Sequence, residues 1–356
     1  MNAHERESTR MIPYPAFGIC GYSGSGKTTL IEALVHRLCA RGLKVGVIKQ
    51  DAHGLDLDRE GKDTDRIFKA GAEVLIRDAE QLFARMHRQA DLALPDLIKR
   101  LGPHYDLILV EGHKATPLPF KLWLCKPGED AGPPEAADIR RVLRWDEDRL
   151  PIVMDILDAW LPGAWHATPV YAGILIGGGS TRMGRPKHLI EEDGQTWLQK
   201  IVASVQSQVD KVVILGGGEL PVDLRALPVL PDVEDAAGPL RGMLAAMRWA
   251  PLTSWLFVAC DLPMASPSAV QWLLGHRQPG VRAVLPRLTD APGPEPLLAY
   301  YDFRAAALLE TVRRPVDCAG NFGVITPLVP IELANAWKNI NTARELSESG
   351  GPQRRI

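Results

Sequence analysis

Short runs of consecutive apolar, often β-branched residues recur along the chain, and segments with apolar residues at helical spacing separate them. Ala16 to Cys20 reads as a buried strand. After a glycine-rich turn, Leu30, Ile31, Leu34, Val35, Leu38 and Cys39 fall on one helical face, and Gly42 ends the helix. Val45 to Ile48 and Leu107 to Val110 predict two further strands. Between them, Gln50 to Asp65 is dense in Asp and Gly and predicts a long functional loop. From Leu161 to Pro169 the periodicity breaks, and a fresh strand follows at Gly173 to Ile176, which sets a domain boundary near position 167. The second half then starts over. A strand and a glycine-rich loop lead into a helix carrying Trp197, Leu198, Ile201, Val202, Val205 and Val209 on one face. Strands follow at Val212 to Leu215, Leu256 to Ala259 and Arg282 to Leu285. Strand and helix patterns in alternation predict α/β units around mostly parallel sheets. The halves open alike but their loops differ. We therefore read a fusion of two nucleotide-binding domains, 11–167 and 168–356, and not an internal repeat.

A chain of 356 residues is long for one domain and suits two. With 46% apolar and 24% charged residues it can build real cores, which excludes wholesale disorder. Forty-one Lys+Arg against 43 Asp+Glu leave a net charge of -2. That balance argues against a protein whose task is gripping nucleic acid or an anionic membrane. Cys20, Cys39, Cys125, Cys260 and Cys318 never form a Cys-x-x-Cys pair, so reduced thiols are expected in place of a disulfide framework or zinc ribbon. The first ten residues, with Glu5 and Glu7, read as neither a signal nor a transit peptide. No stretch reaches the roughly 18 apolar residues of a membrane span. A cytoplasmic location is the expectation.

Gly21-Tyr-Ser-Gly24-Ser-Gly26-Lys27-Thr28 fits G-x-x-x-x-G-K-[ST] and lies between a predicted strand and helix, the context that pattern requires. Small residues let successive backbone N–H groups curl round a β-phosphate, and the helix N-terminus adds a positive field. Lys27 then reaches the β/γ oxygens, and the Thr28 hydroxyl can ligate Mg²⁺. Such a loop also needs an acid at the tip of a neighbouring strand. Glu111, directly after Leu-Ile-Leu-Val, supplies one, although a strand-ending Glu can also simply face solvent. Asp51, His53, Asp56 and Asp58 have the look of a metal cluster, but polar loops often do by composition alone.

Taken in order, several segments resemble the MobB family: the loop ending Gly26-Lys27-Thr28-Thr29, a strand ending Val-Ile-Lys49, His53, Asp58, Gly61-Lys62-Asp63-Thr64, Ala70-Gly71-Ala72 and Leu-Val-Glu111-Gly-His-Lys114. The resemblance spans roughly residues 11 to 160. It implies a GTP-binding adaptor of molybdopterin-guanine dinucleotide biosynthesis. Gly21, Gly24, Gly26, Lys27, Thr28 and Thr29 would then hold nucleotide, and Thr28 and Glu111 the metal.

Gly177-Gly178-Gly-Ser-Thr-Arg182-Met-Gly184-Arg-Pro-Lys187 is a different loop. Counted as G-x-G-x-x-G from Gly177, it puts Arg182 where the third glycine belongs, so it is no dinucleotide fingerprint. It is a glycine turn followed by cations, a design that suits a triphosphate whose pyrophosphate must leave with its charge neutralised. Downstream lie Asp232, Gly238-Pro-Leu-Arg-Gly242 and Cys260-Asp261-Leu-Pro263. Asp261 closes a strand, where an α/β sheet presents ligands, and a carboxylate there can hold Mg²⁺. Without the glycine loop upstream it would read as a turn former before proline.

From about Gly173 to Asn339-Ile-Asn-Thr342 the sequence resembles the MobA family of molybdenum cofactor guanylyltransferases. By that match Leu175, Ile176, Gly177, Gly178 and Lys187 bind GTP, and Asp232 contacts the nucleotide. Asp261 binds nucleotide and Mg²⁺, and Gly238 to Gly242 selects guanine. Two departures stand: Val212-Val-Ile-Leu-Gly-Gly217 has no Asn where the family commonly carries one, and the loop reads Ile-Gly-Gly-Gly instead of Ala-Gly-Gly. The resulting expectation is an α/β chain, a P-loop NTPase-like domain followed by a Rossmann-like nucleotidyltransferase. It would convert GTP and molybdopterin cofactor to molybdopterin guanine dinucleotide and pyrophosphate, with Lys187, Asp261 and Arg182 as catalytic groups. Expected partners are molybdoenzymes and other cofactor-biosynthesis proteins. A cytidylyltransferase of the same cofactor, a sugar-phosphate nucleotidyltransferase and a non-catalytic cofactor carrier remain open.

Overall fold

The computed structural model describes residues 14–49, 60–77, 79–87, 93–136, 138–177 and 186–340. Gly178, Arg182, the acids and histidine of 51–58, and Asn341 and Thr342 lie outside the described residues. The chain forms two compact units that part between Met154 and Asp155.

In the first unit, β1 (Ala16–Cys20), β2 (Val45–Lys49), β5 (Leu107–Glu111), β6 (Phe120–Leu124) and β7 (Arg141–Leu143) form one parallel sheet in the order β2-β5-β1-β6-β7. Every residue of β1 and β5 is buried, as expected of inner strands covered on both faces, which read as unbroken apolar runs. Helix α1 (Lys27–Ala40) buries Leu30, Ile31, Leu34 and Leu38, while Cys39, at the edge of the predicted stripe, is exposed. Gly42 (φ 81°) takes the left-handed turn that ends it.

The long loop expected from Gln50 to Asp65 is corrected at its far end. Helix α2 (Asp63–Lys69) begins inside it, followed by an antiparallel hairpin of β3 (Val74–Arg77) and β4 (Leu82–Arg85). The acids that resembled loop composition sit in the first turn of a helix, where its positive end favours them. Asp65 is buried, accepts a hydrogen bond from Gly61 N–H (2.9 Å), and pairs with Lys69 (2.9 Å) and Arg85 (3.1 Å). Helix α3 (Leu94–Leu101) leads back into the sheet.

Helix α4 (Arg149–His166) corrects a second expectation. The Leu161 to His166 stretch stays helical through Pro162, because Leu157, Leu161 and Trp165 continue one buried stripe across the Pro-Gly pair. Trp165 is fixed in the second unit, where the buried Arg304 guanidinium lies 4.3 Å from its ring and pairs with Asp302 at 2.9 Å.

The second unit is built on β8 (Val170–Leu175), β11 (Lys211–Leu215), β12 (Val229–Leu230), β13 (Ser254–Ala259), β14 (Ala283–Val284), β15 (Ala299–Tyr301) and β16 (Val324–Ile325), in the order β12-β11-β8-β13-β15-β14-β16. β12, β11, β8 and β13 are parallel; β15 runs antiparallel to both its neighbours, and β14 pairs with β16 in parallel. Alternate residues feed two cores. Ala172, Ile174, Leu256 and Val258 face one, whereas Leu175, Trp255 and Phe257 face the other. A short hairpin, β9 (Glu191–Glu192) with β10 (Gln195–Thr196), precedes α5 (Trp197–Val205), which a Thr196–Gln199 capping box starts. Helix α5 ends before Val209, which still packs against the first core. Helix α6 (Leu240–Trp249) covers the second core, and α7 (Pro267–Leu274) the first.

Candidate functional site

The first glycine loop joins β1 to α1 at the carboxyl edge of its sheet, with Gly24 at φ 78° and Gly26 at φ 85° turning the chain left-handed. Ser25 is fully buried, and its hydroxyl has no hydrogen-bond partner among the described residues. A buried hydroxyl without such a partner, in a glycine-rich loop at a helix N-terminus, fits a bound oxyanion. Lys27 Nζ donates to Tyr22 O, a carbonyl of the same loop (2.8 Å), and burial pulls its pKa below the usual lysine value. The Thr28 hydroxyl lies 3.3 Å from both carboxylate oxygens of Glu111, the last residue of β5. Hydroxyl and carboxylate are the hard oxygen donors that suit Mg²⁺.

Two residues that the sequence pattern did not single out hold this loop in place. Arg149 donates to Ser25 O (2.6 Å), Arg144 O (3.0 Å) and Leu143 O (3.3 Å), tying the phosphate loop to the end of β7. Lys121 is fully buried in β6, donates to the carbonyls of Lys114 and Thr116, and so fixes the turn after Glu111. Burial pushes the Lys121 pKa down. A lysine inside the apolar run Phe-Lys-Leu-Trp-Leu was the available signal.

In the second unit, a pocket of about 460 Å³ opens at the carboxyl ends of β8, β11 and β13. Leu175, Ile176 and Gly177 form one wall, Asp232 and Gly238 another, and Lys187 and Asp261 a third. Residues as far apart in the chain as Leu175 and Asn339 thus meet where an α/β sheet binds ligands. Lys187 Nζ and Asp261 Oδ2 are 3.1 Å apart, and each side chain is about one-fifth exposed. Arg241, in the first turn of α6, donates Nε to Val233 O (2.9 Å) and stands 3.9 Å from Asp232. Two carboxylates, Asp232 and Asp261, with a lysine and an arginine, can hold both a cation and a polyphosphate.

Gly242 does not line the pocket but stands behind it. A Cβ there would come within 3.0 Å of Leu175 Cδ2 and 3.1 Å of Leu215 Cβ, so its smallness lets α6 approach β8 and β11. Arg241 and Asn339 join the wall without having been assigned a role. Asn339 is positioned by the next residue, whose N–H donates to Asp261 O (3.0 Å). Burial, reinforced by the Asp261 charge, pushes the Cys260 thiol up to about 12 and keeps it neutral beside the site. Among the described residues, no group of three or more His, Cys, Asp or Glu side chains could hold a metal alone. A hard cation bound by one or two carboxylates commonly completes its shell with phosphate oxygens and water, as Mg²⁺ does.

These features define a two-part α/β protein, a P-loop unit followed by a nucleotidyltransferase-type unit. Residues 16–139 match the family described as Molybdopterin guanine dinucleotide synthesis protein B, and residues 172–317 match the MobA-like NTP transferase domain. The Molybdopterin-guanine dinucleotide biosynthesis adapter protein of Escherichia coli is 39% identical over 150 residues, 41% of this chain and 83% of the relative. The Probable molybdenum cofactor guanylyltransferase of Bacillus cereus is 30% identical over 188 residues, 49% of this chain and 93% of the relative. The Molybdenum cofactor biosynthesis bifunctional protein of Synechocystis is 29% identical over 170 residues, 47% of each chain. The chain belongs to both families, with a MobB-type half and a MobA-type nucleotidyltransferase half in one polypeptide.

Proposed function

We propose that this nucleotidyltransferase moves GMP from GTP to the molybdopterin cofactor, releasing pyrophosphate and forming molybdopterin guanine dinucleotide, and that its N-terminal half is a GTP-binding adaptor. The observation that carries the reading is the Lys187–Asp261 pair (3.1 Å) in a strand-end pocket shared with Leu175, Gly177 and Asp232, within a MobA-like domain. A phosphate oxygen of the cofactor attacks the α-phosphorus in line; one P–O bond forms as the bond to the departing pyrophosphate breaks. Little covalent chemistry falls to the protein, so its contribution is positioning and charge neutralisation.

Mg²⁺, when bound, supplies a Lewis acid for the α-phosphate. Asp261 would hold it in this unit, and Thr28 with Glu111 in the first. Asp232 orients the nucleotide. Lys187 exchanges Asp261 for the leaving pyrophosphate, helped by Arg182. Leu175, Ile176 and Gly177 bring backbone close to the nucleotide, Gly178 keeps its assignment to GTP binding from the sequence, and Gly238 to Gly242 shapes the base end.

We set the functional division at 167, since every residue given a role in transfer lies beyond it, although most of α4 belongs structurally with the second unit. Among the described residues no helix is long and apolar enough to cross a membrane, and we assign the reaction to the cytoplasm, with molybdoenzymes and other cofactor-biosynthesis proteins as partners. The test incubates the full chain with molybdopterin cofactor, Mg²⁺ and GTP, CTP or UTP in turn. The guanine dinucleotide with matching pyrophosphate is expected; a cytosine dinucleotide would reassign the base, and no product with any nucleotide would leave a carrier.

A further inference from the structure

The N-terminal unit has a second concavity, about 350 Å³, opening beside its phosphate loop and unused by guanylyl transfer. Gly26, Thr29, Leu30 and Ala33 line one side, and Trp145 and Arg149 the other. The strand order β2-β5-β1-β6-β7 gives this position a direction. The loop follows the central β1. Glu111, which faces the Thr28 hydroxyl, closes β5 on one side of it; Trp145 lies two residues beyond β7 on the opposite side. A metal and the terminal phosphates it neutralises belong beside Thr28 and Glu111. The other end of the nucleotide then runs toward β6 and β7, past Thr29, where this pocket begins.

The pocket's chemistry suits what would arrive there. Trp145 is half exposed on a protein where most tryptophans are buried, and the Arg149 guanidinium lies 5.4 Å from its ring centre. Arg149 is itself fixed by the carbonyls of Ser25, Leu143 and Arg144. One side chain thus ties an open indole to the phosphate loop. Leu30, Ala33 and Leu150 supply an apolar floor with no polar demand of their own. We propose that this pocket is the nucleoside subsite of the N-terminal unit, in which the base of a purine nucleotide stacks on Trp145 while its phosphates lie in the Gly21 to Thr28 loop. The proposal rests on the reading that this loop binds a nucleotide.

The test is calorimetric titration of the full chain with GDP and, separately, with inorganic pyrophosphate, both with Mg²⁺. The loop's own site is the one that Lys27→Ala abolishes. Trp145→Ala is expected to weaken GDP at that site by about tenfold, the scale of one lost base–aromatic stack, and to leave pyrophosphate, which has no base, unchanged. Trp145→Phe, which keeps an aromatic face, should restore most of the GDP affinity. Unchanged GDP binding in a folded Trp145→Ala protein overturns the subsite. Equal losses of GDP and pyrophosphate also overturn it, by making Trp145 a support of the loop. If Lys27→Ala removes no site, the nucleotide reading of the loop is what fails, and the subsite falls with it.

Discussion

The two glycine loops of this chain hold their lysines in opposite ways. Lys27 rests on a neutral acceptor, the carbonyl of Tyr22 at 2.8 Å, whereas Lys187 rests on a carboxylate, Asp261 at 3.1 Å. The first loop draws its positive field from backbone amides and the start of α1, so the anion proposed to bind there would meet no carboxylate to displace from Lys27. The second keeps its cation paired with the carboxylate proposed to hold the metal. A ligand must part them, giving Lys187 a phosphate and Asp261 a cation together. An adaptor that holds nucleotide and an enzyme that breaks one differ in this respect: only the second must separate charges as the pyrophosphate leaves.

The largest expected effect strikes the second loop's carboxylate. Asp261→Asn keeps size and polarity at a pocket mouth, and should lower dinucleotide formation by at least ~10²-fold, the loss typical of a key charge-stabilising group. Near-normal turnover by a folded variant would remove Asp261 from the mechanism. Next comes the crossed pair of lysines. Lys187→Ala should depress dinucleotide formation by ~10²-fold and spare nucleotide binding by the N-terminal loop. Lys27→Ala should abolish that binding, with any slow γ-phosphate release, and leave transfer to saturating free cofactor largely intact. Phosphate release and dinucleotide assays on both variants make the comparison. Loss of transfer in a folded Lys27→Ala protein would mean the first loop takes part in the second's chemistry.

Helix α4 sharpens the separation of the halves. A chain starting at Thr168 retains every residue assigned to transfer but lacks Trp165, whose ring lies against buried Arg304. A chain starting at Arg149 keeps it. Both should transfer GMP, and urea denaturation should find the shorter one less stable by at least about 3 kcal/mol, the loss of one large buried ring, since Leu157 and Leu161 leave with Trp165. Equal midpoints and slopes would show that the buried stripe of α4 contributes nothing to the second unit.

Much of this was legible because strands buried on both faces leave unbroken apolar runs, and because Gly, Lys and Thr in a loop constrain its backbone directly. β1, β5, β11 and β13 lie within one or two residues of their expected ends, while β8 begins three residues earlier than expected, at Val170. What stayed hidden depends on tertiary packing. The helix through Pro162 is decided by Leu157, Leu161 and Trp165 finding cores to fill, which overrides the local signal of Pro-Gly. The hairpin of β3 and β4 exposes Leu75 and Leu82, so no alternation marks a buried face. Arg149 and Arg241 act by reaching carbonyls distant in sequence or in the adjoining loop, and nothing in their immediate neighbours announces it.

The smallest effect asks whether the acids of the first unit are ligands, like Asp261, or scaffold. In Gly61-Lys62-Asp63-Thr64-Asp65, Asp63 points to solvent while Asp65 is buried among its partners. The Gly61 N–H, foremost, then Lys69 and Arg85 hold the Asp65 carboxyl at about 2, below its ordinary value of 3.8. A carboxyl whose pKa falls on folding stabilises the fold above the unfolded value, and that contribution fades as pH drops toward the folded one. Stabilisation of the α2–hairpin region by this charge should therefore be complete above about pH 5 and lost between about pH 4 and 2. Asp65→Asn, which keeps an acceptor but no charge, should flatten that window in the acid dependence of amide exchange at Gly61 and leave dinucleotide formation near neutral pH unchanged. Side-chain NMR that finds Asp65 titrating near 3.8, or a transfer defect in Asp65→Asn as deep as that of Asp261→Asn, would show that these carboxylates do the same work in both halves.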